Sequence, residues 1–286
     1  MIVISGASGR LAKLVIGSLV SRGVTKNVRL ATRNPDKLAE FAASGFEIVA
    51  ADFADPASLD RAFAGAETAL LISATGPVNA RIALHRNAFD AVARANVSRV
   101  VYTSRVNPVQ SSLYPFAPIH AFSEAYLKDK GIPCTILRNN EYIENLNPVL
   151  AAARQSGKLM LPGARGKTAF ISVCDIAEIA AATLMDSSHT NKTYELNGPE
   201  ALDRHEIAAL LSKAIGTPVG ADINKDEFVA FIQSLRVPPF ILEMTKGLYD
   251  AVDKNEFAKV WTDASNILGR QPRSVASHIE DFCKTA

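Results

Sequence analysis

The sequence predicts an α/β fold: a Rossmann-type doubly wound parallel sheet with helices on both faces, followed by a smaller helix-rich C-terminal lobe. Three observations predict it. Short, nearly continuously apolar runs alternate with helical patterns as far as residue 137, as expected of parallel strands covered on both faces. A glycine turn, SGASGRLA, joins the first strand to the first helix. After residue 138 the alternation loosens into helix-rich sequence without repeats, low-complexity stretches or a long linker.

MIVIS opens as a strand, and a helix follows through residues 10–22. NVRLAT is the second strand, and Asn34 caps a helix near 35–43 whose first position is Pro35. FEIVAAD is the third, with Asp55 and Pro56 starting a helix over 56–64 in the same way. ETALLIS, a helix over 78–96, SRVVYTS, a helix near 119–130 and PCTILRN complete six sheet strands. TAFISV at 168–173 and KTYELN at 192–197 are two further strand-like runs, while KDEFVAFIQSL and AVDKNEFAKVW read as amphipathic helices. The expected domains are a nucleotide-binding domain over 1–137, with returning segments near 168–198, and a substrate lobe over 138–167 and 199–286.

A net charge of +2 from 31 basic and 29 acidic residues argues against nucleic acid or an anionic membrane as partner and for a small molecule. The three cysteines, Cys134, Cys174 and Cys283, lack metal-ligand spacing, and so do the five histidines, so no metal site is expected. There is no G-x-S-x-G nucleophile elbow either. No apolar stretch reaches the roughly 20 residues of a membrane span, and no charged leader precedes the first strand, which predicts a cytoplasmic protein. The final helical segments offer a surface for a homodimer.

In the spacing of Gly6, Gly9 and Ala12, small residues let backbone approach a pyrophosphate at a helix N-terminus. Ser8, Arg10 and Leu11 belong to the same turn and first helical residues, and are placed at the cofactor with Gly6 and Gly9. At the end of the second strand Arg33 stands where an NAD site usually carries an acid. A guanidinium there forks onto a 2′-phosphate, which favours NADP. Asp52 and Phe53, after the third strand, either flank the adenine or, for Asp52, cap the next turn.

VISGASGRLAKLVI, RNPDKL, AADFADPASLDRAFAGAETALLIS, RVVYTS, the H-x-x-x-E of His120 and Glu124, LRNNEYIENL, YELNGPEAL and ILGRQPRS together resemble the NmrA-like atypical short-chain dehydrogenases. The resemblance is strongest to the branch of NADPH quinone oxidoreductases and triphenylmethane reductases, and it spans nearly the whole chain. It implies an NADPH-dependent oxidoreductase acting on a quinone or another conjugated aromatic acceptor. Ser8 and Ala12 depart from the branch's commoner Thr and Gly, and NNEYIEN departs in the expected substrate wall.

A typical short-chain dehydrogenase places a tyrosine and a lysine four residues apart on one helix, but here the corresponding positions are His120 and Glu124. Alcohol dehydrogenation is therefore not expected. Quinones and cationic dyes delocalise the added electrons, so positioning does most of the work. The walls are expected from Ser73 and Ala74 after the fourth strand and from Asn139, Tyr142 and Asn145 as substrate contacts. His120 either donates to a developing hydroquinone oxygen or is a packed histidine; Glu124 either orients His120 or is a solvated helix residue. Loss of the tyrosine–lysine pair also admits a non-catalytic NADP-binding redox sensor, the regulator type of the NmrA-like group.

Overall fold

Strands β1 (Ile2–Ser5), β2 (Val28–Thr32), β3 (Glu47–Ala50), β4 (Thr68–Leu71), β5 (Arg99–Arg105), β6 (Cys134–Asn139) and β7 (Thr193–Leu196) lie in one sheet in the order β3-β2-β1-β4-β5-β6-β7. The computed structural model describes residues 1–285. β1 runs parallel to both its neighbours, with Ile4 opposite Leu30 on β2 and Leu70 on β4. From β1 the chain builds outward to β3, then returns to place β4 on the other side of β1. That reversal of strand order opens a crevice at the carboxyl ends of the strands, where ligands of doubly wound sheets bind.

The helices are α1 (Arg10–Ser21), α2 (Ala39–Ala42), α3 (Pro56–Phe63), α4 (Val78–Arg94), α5 (Ala117–Asp129), α6 (Asn147–Ser156), α7 (Val173–Met185), α8 (Arg204–Ile215), α9 (Lys225–Ser234), α10 (Pro239–Asp253), α11 (Asp263–Leu268) and α12 (Val275–Thr285). The chain divides into two compact units. The first contains Met1–Arg105, Ile119–Arg138 and Ile176–Tyr194, and the second contains Val106–Pro118, Asn139–Asp175 and the described chain from Glu195 onward.

In the first unit α1 turns Leu11, Val15, Ile16 and Leu19 inward. A core of Val3, Phe63, Leu71, Phe89, Val100 and Tyr102 fills the sheet's surroundings. Each such side chain, fully buried, contributes about 1.5–3 kcal/mol relative to exposure. In the second unit Leu146, Leu150, Ile207, Leu211, Val275 and Ile279 form one core cluster from α6, α8, α12 and the turn before α6. Its helices start on strong signals: Asp203 and Glu206 make a reciprocal capping box at α8, and Asn224 and Glu227 make one at α9.

Several local expectations are corrected. KTYELN supplies a seventh strand beyond the six expected, tied to β6 through Ile136 N–H donating to the Lys192 carbonyl at 2.9 Å. TAFISV is not a strand: Thr168 and Ile171 make only isolated bridges. There the chain is already turning into α7, whose first amides are capped by Glu144, accepting from Val173 N–H at 3.0 Å, and by Ser172, accepting from Cys174 N–H. Asn34 gives no side-chain cap, and the following residues form a 3₁₀ turn, Pro35–Leu38, before the four-residue α2. Asp55 does cap, accepting from Ala57 N–H at 3.1 Å. AVDKNEFAKVW is helical only as far as Asp253; Asn255 takes a left-handed φ of 58°, and Phe257 bridges to Thr168. No helix among the described residues is long and apolar enough to cross a membrane.

Candidate active site

The carboxyl ends of β1, β2 and β4 border a crevice of about 260 Å³ in the first unit. Its floor is the glycine turn. Gly6 holds φ at +61°, a left-handed conformation that a side chain resists, and a Cβ on Gly9 would stand 3.1 Å from the Gly6 carbonyl oxygen. Gly9 lines the crevice as the N-cap of α1 and contributes no side-chain bond, so the first amides of that helix lack a capping side chain. Thr32 fastens the turn to β2: its hydroxyl donates to Ser8 Oγ at 2.8 Å and accepts from Asn34 N–H at 3.3 Å. Arg33, next along the chain, is exposed and lines the same crevice.

Gly6, Ser8, Gly9, Arg33, Asp52, Phe53, Ser73 and Ala74 all line this one wall. The side chains of Arg10 and Leu11 do not: that of Arg10 is exposed on the first turn of α1, and that of Leu11 is buried in the core. Asp52 caps the following turn, accepting from Ala54 N–H at 2.9 Å, and also lines the crevice. Helix amides without a cap, a guanidinium at the end of β2 and the Phe53 ring form a donor set that fits a dinucleotide carrying a 2′-phosphate.

Asn139, Tyr142 and Asn145 lie in the second unit. Asn139 is buried and donates from Nδ2 to Tyr142 Oη at 3.3 Å, whereas Asn145 is exposed. That unit also has a wider groove of about 710 Å³ between α8 and the 216–222 loop. Its His205 and Asp222 side chains lie 3.8 Å apart with Asp222 almost fully exposed, so the groove presents no built polar site.

Behind the Ser73–Ala74 wall is a sealed polar cluster. His120 Nδ1 lies 3.0 Å from Tyr102 Oη, and Arg81 Nη2 donates to His120 Nε2 at 3.3 Å. An arginine only donates, so Nε2 carries the lone pair and Nδ1–H donates to the phenol. Burial, then the charge of Arg81, the neighbouring His85 and Arg105 hold the His120 imidazole well below its ordinary pKa, so it stays neutral. Burial pushes the Tyr102 phenol above its ordinary value. Neither group is poised to release a proton near neutrality.

Glu124 does not orient His120, contrary to one of its expected roles. Its carboxylate accepts from Ser104 Oγ at 2.6 Å and from Arg138 Nε and Nη2 at 3.0 and 2.6 Å, a fork at the junction of α5, β5 and β6. Tyr126 donates to Asp90 at 2.9 Å on the other side of α5. Ser5, Thr103 and His85 are absent from the sequence-based site, yet each binds the loop after β4. Hydroxyls at the carboxyl ends of the strands flanking β4 were the available signal for the first two. His85 gave none, since its partner is a backbone amide.

The profile of the NmrA-like family matches residues 1–258. The chain belongs to the NmrA-like family. Escherichia coli quinone oxidoreductase 2 is 35% identical over 280 residues, covering 98% of this chain and 97% of that one. The NAD(P)H azoreductase of Xenophilus azovorans is 25% identical over 279 residues, covering 96% of each. The crystal structure of Citrobacter sp. triphenylmethane reductase complexed with NADP(H) superposes with a TM-score of 0.93 at 29% identity, over 99% of this chain and 100% of that one. These relatives are matched along both units.

Proposed function

We propose that this chain is an NADPH-dependent reductase that passes hydride to a quinone or another conjugated aromatic acceptor. One observation carries the reading: the phosphate-ready glycine turn and Arg33 share a crevice, while the helix that would bear a tyrosine–lysine pair bears a buried neutral His120 and a Glu124 tied to Arg138. The named activities of the relatives, reduction of quinones, azo compounds and triphenylmethane dyes, support it.

NADPH bound in the crevice supplies the hydride. Arg33 holds the 2′-phosphate, the amides at the start of α1 take the pyrophosphate, and Asp52 and Phe53 border the adenine. Ser73 and Ala74 form the wall that orients the cofactor. Asn139 and Tyr142, a hydrogen-bonded amide and phenol, and Asn145 are assigned to the acceptor. An acceptor that delocalises the arriving electrons needs orientation more than a protein acid, and the proton taken up by its oxygen or nitrogen comes from water. His120 supports this site without donating to it, because its one N–H is committed to Tyr102. The three unpaired thiols suit a reducing compartment, and the reading places the protein in the cytoplasm.

The test is to mix the purified protein with NADPH and a panel of quinones, azo dyes and cationic triphenylmethane dyes, and to follow the nicotinamide absorbance. The expected result is oxidation by at least one acceptor class that saturates with acceptor concentration. Tight NADPH binding without oxidation by any of them would favour a redox sensor.

A further inference from the structure

Beyond Leu71 the loop following β4 leaves the ladder that pairs β4 with β1 and β5. Its next three amides are nevertheless all bonded, each to a side chain from a different element. Ile72 N–H donates to Ser5 Oγ of β1 at 3.1 Å, Ser73 N–H to Thr103 Oγ1 of β5 at 2.9 Å, and Ala74 N–H to His85 Nε2 of α4 at 2.9 Å. Ser5, Thr103 and His85 are each at most 2% exposed. The front of the same three residues lines the crevice.

We infer that His85 is a positioning residue for the cofactor: by accepting the Ala74 N–H from behind, it fixes the wall formed by Ser73 and Ala74. The inference rests on reading the crevice as the NADPH site. A backbone N–H only donates, so the bond requires a lone pair on Nε2, and a neutral imidazole then carries its proton on Nδ1. The far side of the ring agrees. Nδ1 lies 2.8 Å from Ser123 Oγ, and that hydroxyl donates onward to the Ile119 carbonyl at 2.8 Å, leaving its oxygen to accept from Nδ1–H. The tautomer is thus set from two directions.

The groups around the ring keep it in that state. Arg81, one turn earlier on α4, is a buried cation; Tyr102 of β5 packs edge-on, with ring centroids 5.9 Å apart; and His120 of α5 stands 6.3 Å away, itself neutral. Burial, reinforced by the Arg81 charge, pushes the His85 imidazole down to about 3. A protonated ring would turn a second donor toward the Ala74 N–H and release the wall. An imidazole is therefore used here as a fixed acceptor, and its ability to titrate is suppressed.

The test compares His85→Gln, whose side-chain carbonyl reaches the place of Nε2, with His85→Leu, which leaves the Ala74 N–H without an acceptor. Both lose the aromatic packing, so a purely structural role predicts equal losses of stability and unchanged NADPH affinity in the folded fraction. The positioning role predicts that His85→Leu binds NADPH about tenfold more weakly, while His85→Gln stays within about threefold of the parent. It further predicts that the His85→Leu deficit appears in KM for NADPH more than in kcat. Ring-nitrogen NMR of the histidine-labelled parent should report His85 as the neutral Nδ1–H form across pH 5–8, a readout independent of whether either variant folds. Unchanged NADPH affinity in His85→Leu, or an Nε2–H signal for His85, would overturn the inference. A parent that fails to bind NADPH would instead overturn the functional reading, and the NMR spectrum would still decide the hydrogen bond.

Discussion

Two stretches of the crevice wall in the first unit are built by opposite means. Around Gly6 to Gly9 the Ala7 and Gly9 amides are tied to the Ala31 and Gly6 carbonyls, the uncapped amides are those at the start of α1, and what matters is the absence of side chains: a left-handed glycine, an N-cap with nothing to cap with, and a 3.1 Å gap that leaves little room for a Cβ. Around Ser73 and Ala74 the backbone amides are already occupied, and what matters is a set of buried side chains behind them. The first stretch is a local device, one strand–turn–helix unit fastened to the neighbouring β2. The second is assembled from β1, α4, β5 and α5, and it depends on each imidazole remaining neutral in one tautomer. A doubly wound sheet thus offers two routes to a rigid wall, one limited by conformation and the other by desolvation.

Among single substitutions at one pH, the largest effect that separates the two routes should come from Glu124→Ala. It removes the carboxylate onto which the Arg138 guanidinium forks, in a pair whose two side chains are 15% and 27% exposed. Denaturant unfolding should register a loss of about 2–3 kcal/mol, below the full range for a sealed pair because this one is partly solvated. Gly6→Ala acts on the other region. Its Cβ would have space, meeting only the Ile72 Cβ at 3.9 Å, so the cost is the left-handed backbone, about 1–2 kcal/mol. NADPH titration of the folded protein should show weakened binding there, which Glu124→Ala should largely spare.

Between the two regions, only the side-chain-built one predicts a pH dependence. The folded-state value of His85 lies near 3 against 6.5 unfolded. Above about pH 6.5 both states are neutral and stability is flat with respect to this group. As pH falls from 6.5 toward 3, the unfolded chain takes up a proton that the folded one refuses, and stability drops by up to about 1.4 kcal/mol per pH unit. His120, held down in the same way, adds a second contribution of the same sign. Urea melts across this window should show a shallower slope in His85→Gln than in the parent. The smallest effect is expected for Tyr126→Phe, which removes the bond to Asp90 at a cost of about 0.5–1 kcal/mol and leaves turnover unchanged. A large fall in turnover there would mean that this tyrosine acts as an acid.

How much was legible in the sequence follows the same division. The alternation of strands and helices, the glycine turn and Arg33 depend on spacings within a few dozen residues, so periodicity and residue type sufficed to read them. Ser73 and Ala74 were expected in a wall, but the buried side chains that hold it were not legible. Residues 85, 102, 120 and 123 become neighbours only once α4, β5 and α5 are packed, and a histidine on a mostly apolar helix face looks like a core residue until its acceptor role is seen. Glu124 illustrates the limit from the other side: helical spacing put it one turn from His120, but Arg138 on β6, unseen from the helix, took the carboxylate. The run at 168–173 had strand composition, and the caps at Glu144 and Ser172 turned it into the approach to a helix instead.

The central claim is that the crevice holds NADPH for reduction of a conjugated acceptor, with Arg33 reading the 2′-phosphate. The most direct test is to measure initial rates of quinone reduction at limiting NADPH and at limiting NADH for the parent protein and Arg33→Glu. The account predicts that the parent is faster with NADPH. In Arg33→Glu the NADPH rate constant should fall by about 100-fold while the NADH rate constant changes less than about threefold, the loss expected for a charge-assisted fork replaced by repulsion. Equal changes with both cofactors would mean that Arg33 does not read the phosphate. Absence of oxidation with either cofactor would contradict the reductase itself.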